Sequence, residues 1–524
     1  MAVLSSLWNW LFRIVVALVF TCYWATSGSA ETIYLKNGKK IEGEIIERKE
    51  DHVTVRFEEG GQAPYWLDEI ERIEDNKTRS QVSLDTDLKH DSAEEAEWRL
   101  VYVRKVETIS TGAPAEKDLP ADAEVLVGLG ADYFYVVDGK KTSIYDFGTR
   151  RVRYVMSDQA VDDISLFALV AYRSAELQNR LMLGEAFTAA NVVGERNPFR
   201  QFDLEALFGI AKKGGGDVAL SEELTDGIYH YRVGGEVKVE YRLSEFAPAG
   251  DRKEMFEKYL LYETNLHPAV RRSIVARAAI PQLLVYEMHN LPALSARIRL
   301  ELKGVEQDQQ RYSPPSKLVQ TARDADNTAL AQLERMLGEV ETNESKPPLT
   351  RRQFVEMTDQ AIAQGQYLDA MLMATECGLQ TGEYLMDHIR QLASYTNTDR
   401  RLAQFVSAMD MSSEEKTKTS LQILDGIDRT GLSRGHVVDI MRADAKAALG
   451  QENEARELFV NVLTVNPHIA GVYKDLGEVY HRFYDMRTAW KCWDTARRLY
   501  PQHPMLQQIN EYEAKLLDQY PEFF

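Results

Sequence analysis

Gly431 to Gly435 reads GLSRG, the Gly-x-Ser-x-Gly spacing with which a strand-to-helix turn strains a serine hydroxyl into position for nucleophilic attack. The flanking stretches SLQILDGIDRT and HVVDIMRADAKAAL are both patterned as helices, so Gly431 is expected to end one helix and Ser433 to cap the next. A serine hydrolase reading rests on this motif alone. Cys492 is a second candidate, since it sits between Trp490 and Trp493 with His481 and Arg482 upstream. A nucleophilic thiol needs a basic neighbour and solvent access, and Lys491, next in sequence, faces another side of a helix. A buried, inert thiol is expected. KKGGGD, Lys212 to Asp217, lacks the spaced glycines and trailing Lys-Ser/Thr of a phosphate loop, and VGLGAD lacks the third glycine of a dinucleotide fingerprint. The ten histidines include no His-Glu-x-x-His and join no cysteine cluster, so neither a metal site nor a cofactor is indicated. His230, between Tyr229 and Tyr231, is expected on a strand, pointing outward between two core tyrosines.

These residues must be held by a chain of 524 residues, long enough for about three domains. Hydrophobic residues make up 44% and charged residues 27%, a globular composition. Acidic side chains outnumber basic ones 81 to 62, for a formal net charge of −19, and no Lys/Arg block offsets them. A polyanion is repelled at long range, which argues against nucleic acid and anionic lipid and favours cationic or neutral partners.

The N-terminus reads as an export signal. Arg13 precedes the apolar run Ile14 to Trp24, and ATSGSA supplies the small residues Gly28 and Ala30 before Glu31. Residues 1–30 are therefore expected to be cleaved and the protein exported to the periplasm; residues 7–24, left uncleaved as an anchor, are the alternative and the sole route to membrane association. Beyond the signal only Cys377 and Cys492 remain, too few for a disulfide framework.

From 31 to 75, alternating apolar residues at Ile33 and Leu35 and at Val53, Val55 and Phe57 give short strands, turned at Asn37-Gly38 and Gly60-Gly61. Such a meander is expected to close into a small β-barrel. Ile33, Leu35, Asn37, Gly38 and Gly43 resemble the first motif of the Sm-like family, which implies a small Sm-like or SH3-like barrel. The second, basic-glycine Sm motif is replaced by PYWLDEIERI, so RNA binding is not implied. Residues 76–95 read as a solvated linker, 96–312 as a mixed α+β domain with antiparallel strands, and 313–348 as a second linker around a short helix. Within the middle domain, turns are expected at Asp138-Gly139 and Gly234-Gly235, with Asp163 or Ser165 capping a helix. Its aromatic strands around Phe134, Tyr135, Tyr229 and Tyr231 raise an alternative function, a periplasmic carrier enclosing an apolar ligand.

From 349 to 524 helix follows helix. Tyr473, Leu476, Gly477, Tyr480, Ala489, Trp493, Ala496 and Pro501 resemble the signature of the tetratricopeptide repeat, and looser copies begin at His436 and Arg351. Small residues at Gly477, Ala489 and Ala496 let paired helices approach, while Tyr473, Tyr480 and Trp493 fill the groove to the next pair. The resemblance implies an all-α solenoid that binds protein segments on a concave face, here including Lys474, Glu478, His481 and Arg482. The sequence thus reads as a multidomain α+β protein, a non-enzymatic envelope scaffold recruiting protein partners.

Overall fold

In the sheet built from the middle of the chain, alternation along one strand shows how the sequence sets the layers: Ala296, Ile298, Leu300 and Leu302 are buried while Arg297 and Arg299 between them, and Lys303 just beyond, are exposed. The computed structural model describes residues 31–36, 40–48, 52–56, 62–66, 70–74, 97–110, 121–156, 159–189, 200–212, 220–248, 250–290, 294–308, 329–341 and 347–524. The export segment 1–30, the Asn37-Gly38 and Gly60-Gly61 turns, the KKGGGD glycines, the linker 76–95 and residues 313–328 of the second linker lie outside the described residues.

The first five strands are β1 (Glu31–Leu35), β2 (Lys40–Arg48), β3 (His52–Arg56), β4 (Gln62–Trp66) and β5 (Ile70–Glu74). They pair antiparallel in the order β4-β3-β2-β1-β5. The meander expected from the sequence is present, but the barrel is not: among the described residues no ladder joins β4 to β5, and the sheet is open.

The next sheet is larger. It runs through β6 (Glu97–Ser110), β7 (Ala123–Leu129), β8 (Tyr133–Asp138), β9 (Lys141–Asp146), β10 (Arg151–Met156) and β11 (Gln159–Ser165). Two helices follow, α1 (Leu166–Ala189) and α2 (Gln201–Phe208). The chain continues through β12 (Leu220–Thr225), β13 (Ile228–Val233), β14 (Glu236–Leu243), the helices α3 (Asp251–Glu263) and α4 (Pro268–Ala276), then β15 (Pro281–Asn290) and β16 (Leu294–Asp308). All 11 strands form one open antiparallel sheet, β11-β10-β9-β8-β7-β6-β16-β15-β14-β13-β12. Two meanders therefore start at opposite edges, and the first strand of the region pairs with the last along the centre, from Ser295↔Ser110 to Asp308↔Glu97. The turns at Gly139, Gly234 and Gly235 take positive φ, as the sequence indicated. Asp163 is not a helix cap: it lies on β11 and pairs with Arg151 and Arg153, because the strand runs on to Ser165 before α1 begins.

The VGLGAD stretch has a packing reason. Gly128 and Gly130 lie beneath the rings of Tyr135 and Tyr133, where a Cβ would come within 2.1 and 2.3 Å of ring carbons. Both tyrosine hydroxyls donate to the buried Glu97 carboxylate at 2.6 Å, and Arg99 Nε adds a third bond at 3.1 Å. A buried carboxylate is tolerated when its lone pairs are filled in this way.

The remaining chain is helical: α5 (Ala329–Glu341), α6 (Arg351–Ala363), α7 (Tyr367–Thr381), α8 (Met386–Ala393), α9 (Arg400–Ser407), α10 (Glu414–Asp425), α11 (His436–Ala448), α12 (Glu452–Val465), α13 (Ala470–Arg482), α14 (Met486–Leu499) and α15 (Gln507–Gln519). The pairs α6/α7, α11/α12 and α13/α14 share one turn. Gly365, Gly450 and Tyr484 hold φ of 70°, 73° and 60°, and the next residue donates back five positions: Gln366 N to Ala361 O, Gln451 N to Lys446 O and Asp485 N to Tyr480 O, at 2.9, 2.8 and 3.1 Å. This is the left-handed closure of a helix C-terminus repeated three times. Between Gly450 and Tyr484 the spacing is the tetratricopeptide period of about 34 residues. Tyr473, Leu476, Tyr480, Ala489, Trp493 and Ala496 are all buried, as is Gly477, while Pro501 is exposed. Among the described residues no helix is long and apolar enough to cross a membrane.

Two compact units divide the described residues. One gathers those of 31–74, 329–479 and 492–515; the other gathers those of 97–308, 480–491 and 516–524.

Candidate functional site

On α13, residues four apart lie one above the other, so Lys474 and Glu478 meet as the helix pitch requires. Lys474 Nζ lies 2.6 Å from Glu478 Oε1 and 3.3 Å from Asp475 Oδ1. Tyr473 and Leu476, fully buried, fix the face of α13 that packs inward, and Trp493 Nε1 of α14 donates to the Lys474 backbone oxygen at 3.1 Å. Lys474 is itself only 8% exposed, so the ammonium is not a free handle for a partner. Burial works to lower its pKa, but Asp475 and Glu478 outweigh it and hold the ammonium above its ordinary value.

The first helix of the preceding hairpin brings a further carboxylate. Asp444 of α11 is half-buried near this group. Burial, then the charge of Asp475, raises its pKa well above the carboxylate range, Lys474 acts the other way, and Glu478 adds to the rise. Two carboxylates, Asp475 and Glu478, thus pair with one ammonium, and Asp444 lies close enough to feel the charge of all three. Asp444 escaped the sequence reading, although the repeat carried the signal: it stands one period before Glu478, at the same place in its own hairpin. His481 is half-buried with its ring 6.2 Å from that of Trp490, and Arg482 is exposed.

The other candidates resolve differently. Ser433 lies between two helices, α10 and α11, with no strand before it, and its Oγ donates to Asp369 Oδ2 at 2.7 Å. Asp369 Oδ1 accepts the Ser433 and Arg434 amides at 3.0 and 3.1 Å, so the loop is pinned to α7. The helix cap expected at Ser433 is Gly435 instead, and α10 ends at Gly426 rather than at Gly431. His436 belongs to another carboxylate, Glu376, at 3.0 Å, where Asn466 Nδ2 also donates at 2.6 Å. Burial would raise the Glu376 pKa, yet His436, Arg434 and Asn466 hold it below the usual range. Serine and histidine are engaged by separate acids, so the structure does not pair them with each other.

Cys377 and Cys492 are both buried and are not joined in a disulfide. His230 is half-buried on β13, with Nδ1 3.7 Å from Glu240 Oε1. Among the described residues, no three His, Cys, Asp or Glu side chains are grouped to hold a metal ion. The aromatic strands fill their own space: Phe134 stacks on Tyr145 at 4.5 Å and Tyr229 on Tyr241 at 4.8 Å. Arg104, Asp138, Tyr259, Glu263 and Tyr286 line a cleft of about 80 Å³, crossed by the Arg104–Asp138 pair at 2.8 and 3.0 Å. Sites that engulf a drug-sized ligand hold about 300–1,000 Å³. No protein-family model matches this chain, and no curated protein matches it.

Proposed function

We propose that this protein is an exported envelope adaptor without catalysis of its own, whose C-terminal hairpins are tetratricopeptide-like and hold a basic segment of a protein partner. The observation that carries the reading is the excess of carboxyl groups around Lys474, contributed by the first helices of successive hairpins. In the family this part of the sequence resembles, those helices line the concave binding surface. The partner's chemistry follows from the charge: Asp475 and Glu478 outnumber Lys474 on this face, and together with the chain's net charge of −19 they attract a segment bearing lysine or arginine. Export is supported by the N-terminal sequence, with Arg13, the apolar run to Trp24 and the small residues before Glu31.

The test is affinity capture from the envelope of the producing cell, comparing the intact chain with the Asp475→Asn/Glu478→Gln variant. The adaptor reading expects a basic protein held by the intact chain at low salt, released as salt rises, and lost from the variant. An identical set of captured proteins on both chains would refute it.

A further inference from the structure

Residues 520–524 occupy a built slot in the same unit as the large sheet. Pro521–Phe523 form a single 3-10 turn, and the Phe523 ring is fully buried, edge-on to Tyr262 at 5.6 Å. The Phe524 ring lies 4.8 Å from that of Phe167 on α1, and the Arg173 guanidinium sits 5.8 Å from the centre of the Phe523 ring. Three consecutive backbone oxygens are held. Lys258 Nζ on α3 donates to those of Glu522 and Phe524 at 2.9 and 2.6 Å, and Tyr262 Oη donates to that of Phe523 at 2.6 Å.

A short loop seldom meets such lining. Lys258 is 4% exposed, and Arg271 on α4 is 3% exposed with neither Nε nor Nη1 hydrogen-bonded. Burying an ammonium and a guanidinium costs several kcal/mol each unless acceptors face them, and the acceptors that Lys258 finds are the main-chain oxygens of this five-residue segment. Glu254, with Oε1 4.0 Å from Lys258 Nζ, is largely exposed and offsets little of that cost. Arg271 Nε and Nη1 make no hydrogen bond with the segment in place, and the charges on Glu257 and on Glu522 of the segment are what offset the burial of this guanidinium.

We propose that this slot is a peptide-recognition site, reading main-chain oxygens through Lys258 and Tyr262 and two adjacent aromatic side chains through Phe167, Tyr262 and Arg173, with residues 520–524 as its ligand in cis. A peptide of the same chemistry, an acidic residue followed by two phenylalanines, binds when that ligand is withdrawn.

The probe is a fluorescently labelled peptide of residues 516–524, LLDQYPEFF, titrated into the full chain and into its Phe523→Ala/Phe524→Ala variant. The variant is expected to bind the peptide at least tenfold more tightly than the intact chain. Adding Tyr262→Phe or Lys258→Met to the variant should weaken binding at least fivefold, and a peptide ending in Ala-Ala should not bind. If the variant melts early, the peptide must raise its Tm in a dose-dependent way, since a ligand of the folded state stabilises by mass action. Neither saturable binding nor a rise in Tm, or binding indifferent to Lys258 and Tyr262, would overturn the proposal.

Discussion

Asp444 is the residue whose titration reports on the acidic cluster. Because its folded pKa is raised, its protonated form is the one the fold favours. That contribution is complete below the ordinary carboxylate pKa of about 4 and is lost as pH rises through the raised folded value. Asp444→Asn cannot ionise, so urea unfolding should find it progressively more stable relative to the intact protein from about pH 4 upward; a difference independent of pH would speak against this environment. A second prediction concerns Gly128. Its alanine variant drives the Tyr135 ring off the strand and strips a donor from Glu97, with an expected loss of about 2–4 kcal/mol in denaturant unfolding. At this scale the sequence was legible where a repeat or a turn fixed a residue's role. Lys474 and Glu478 could be found from the repeat signature, but not the burial of Lys474, which depends on what packs around α13. The Glu97 network was not legible, because Glu97 and its tyrosines are linked only by the order of strands.

Local patterning exposed the elements well where one rule governed them. The hairpin turns at Gly139 and Gly234-Gly235, the helical pairs and the first meander all follow from period and turn chemistry. Closure of that meander into a barrel was a different matter. It required β4 to meet β5, and nothing local encodes a pairing between outer strands. Asp163 misled in the same way, since an acidic residue before a helical pattern also suits a strand whose neighbour carries Arg151 and Arg153. The repeat turn yields its own prediction. Tyr484 occupies, at φ 60° and 50% exposure, the position that glycine holds in the two other hairpins. Left-handed backbone costs a non-glycine residue about 1–2 kcal/mol, and glycine's greater freedom in the unfolded chain offsets part of that. Tyr484→Gly should therefore stabilise the protein by about 0.5–1 kcal/mol, seen as a higher Tm; a lower Tm would mean that the exposed ring contributes more than the strain costs.

At the level of the whole chain, the large sheet joins Glu97 to Asp308 across two hundred residues of intervening sequence, a pairing that strand patterns in isolation could not assign. The division into units also reaches beyond the sequence boundaries, for residues 480–491 and 516–524 belong with the sheet. Deleting 349–524 would strip both units, so point variants are the cleaner probe of function. The measurement that bears most directly on the adaptor reading is the binding isotherm of the captured basic partner, compared between the intact chain and an Asp475→Asn/Glu478→Gln chain of equal Tm. The reading predicts affinity at least tenfold weaker for the variant, a difference of about 1.4 kcal/mol, and for the intact chain a steep fall with added salt. Equal affinities and no dependence on salt would contradict it.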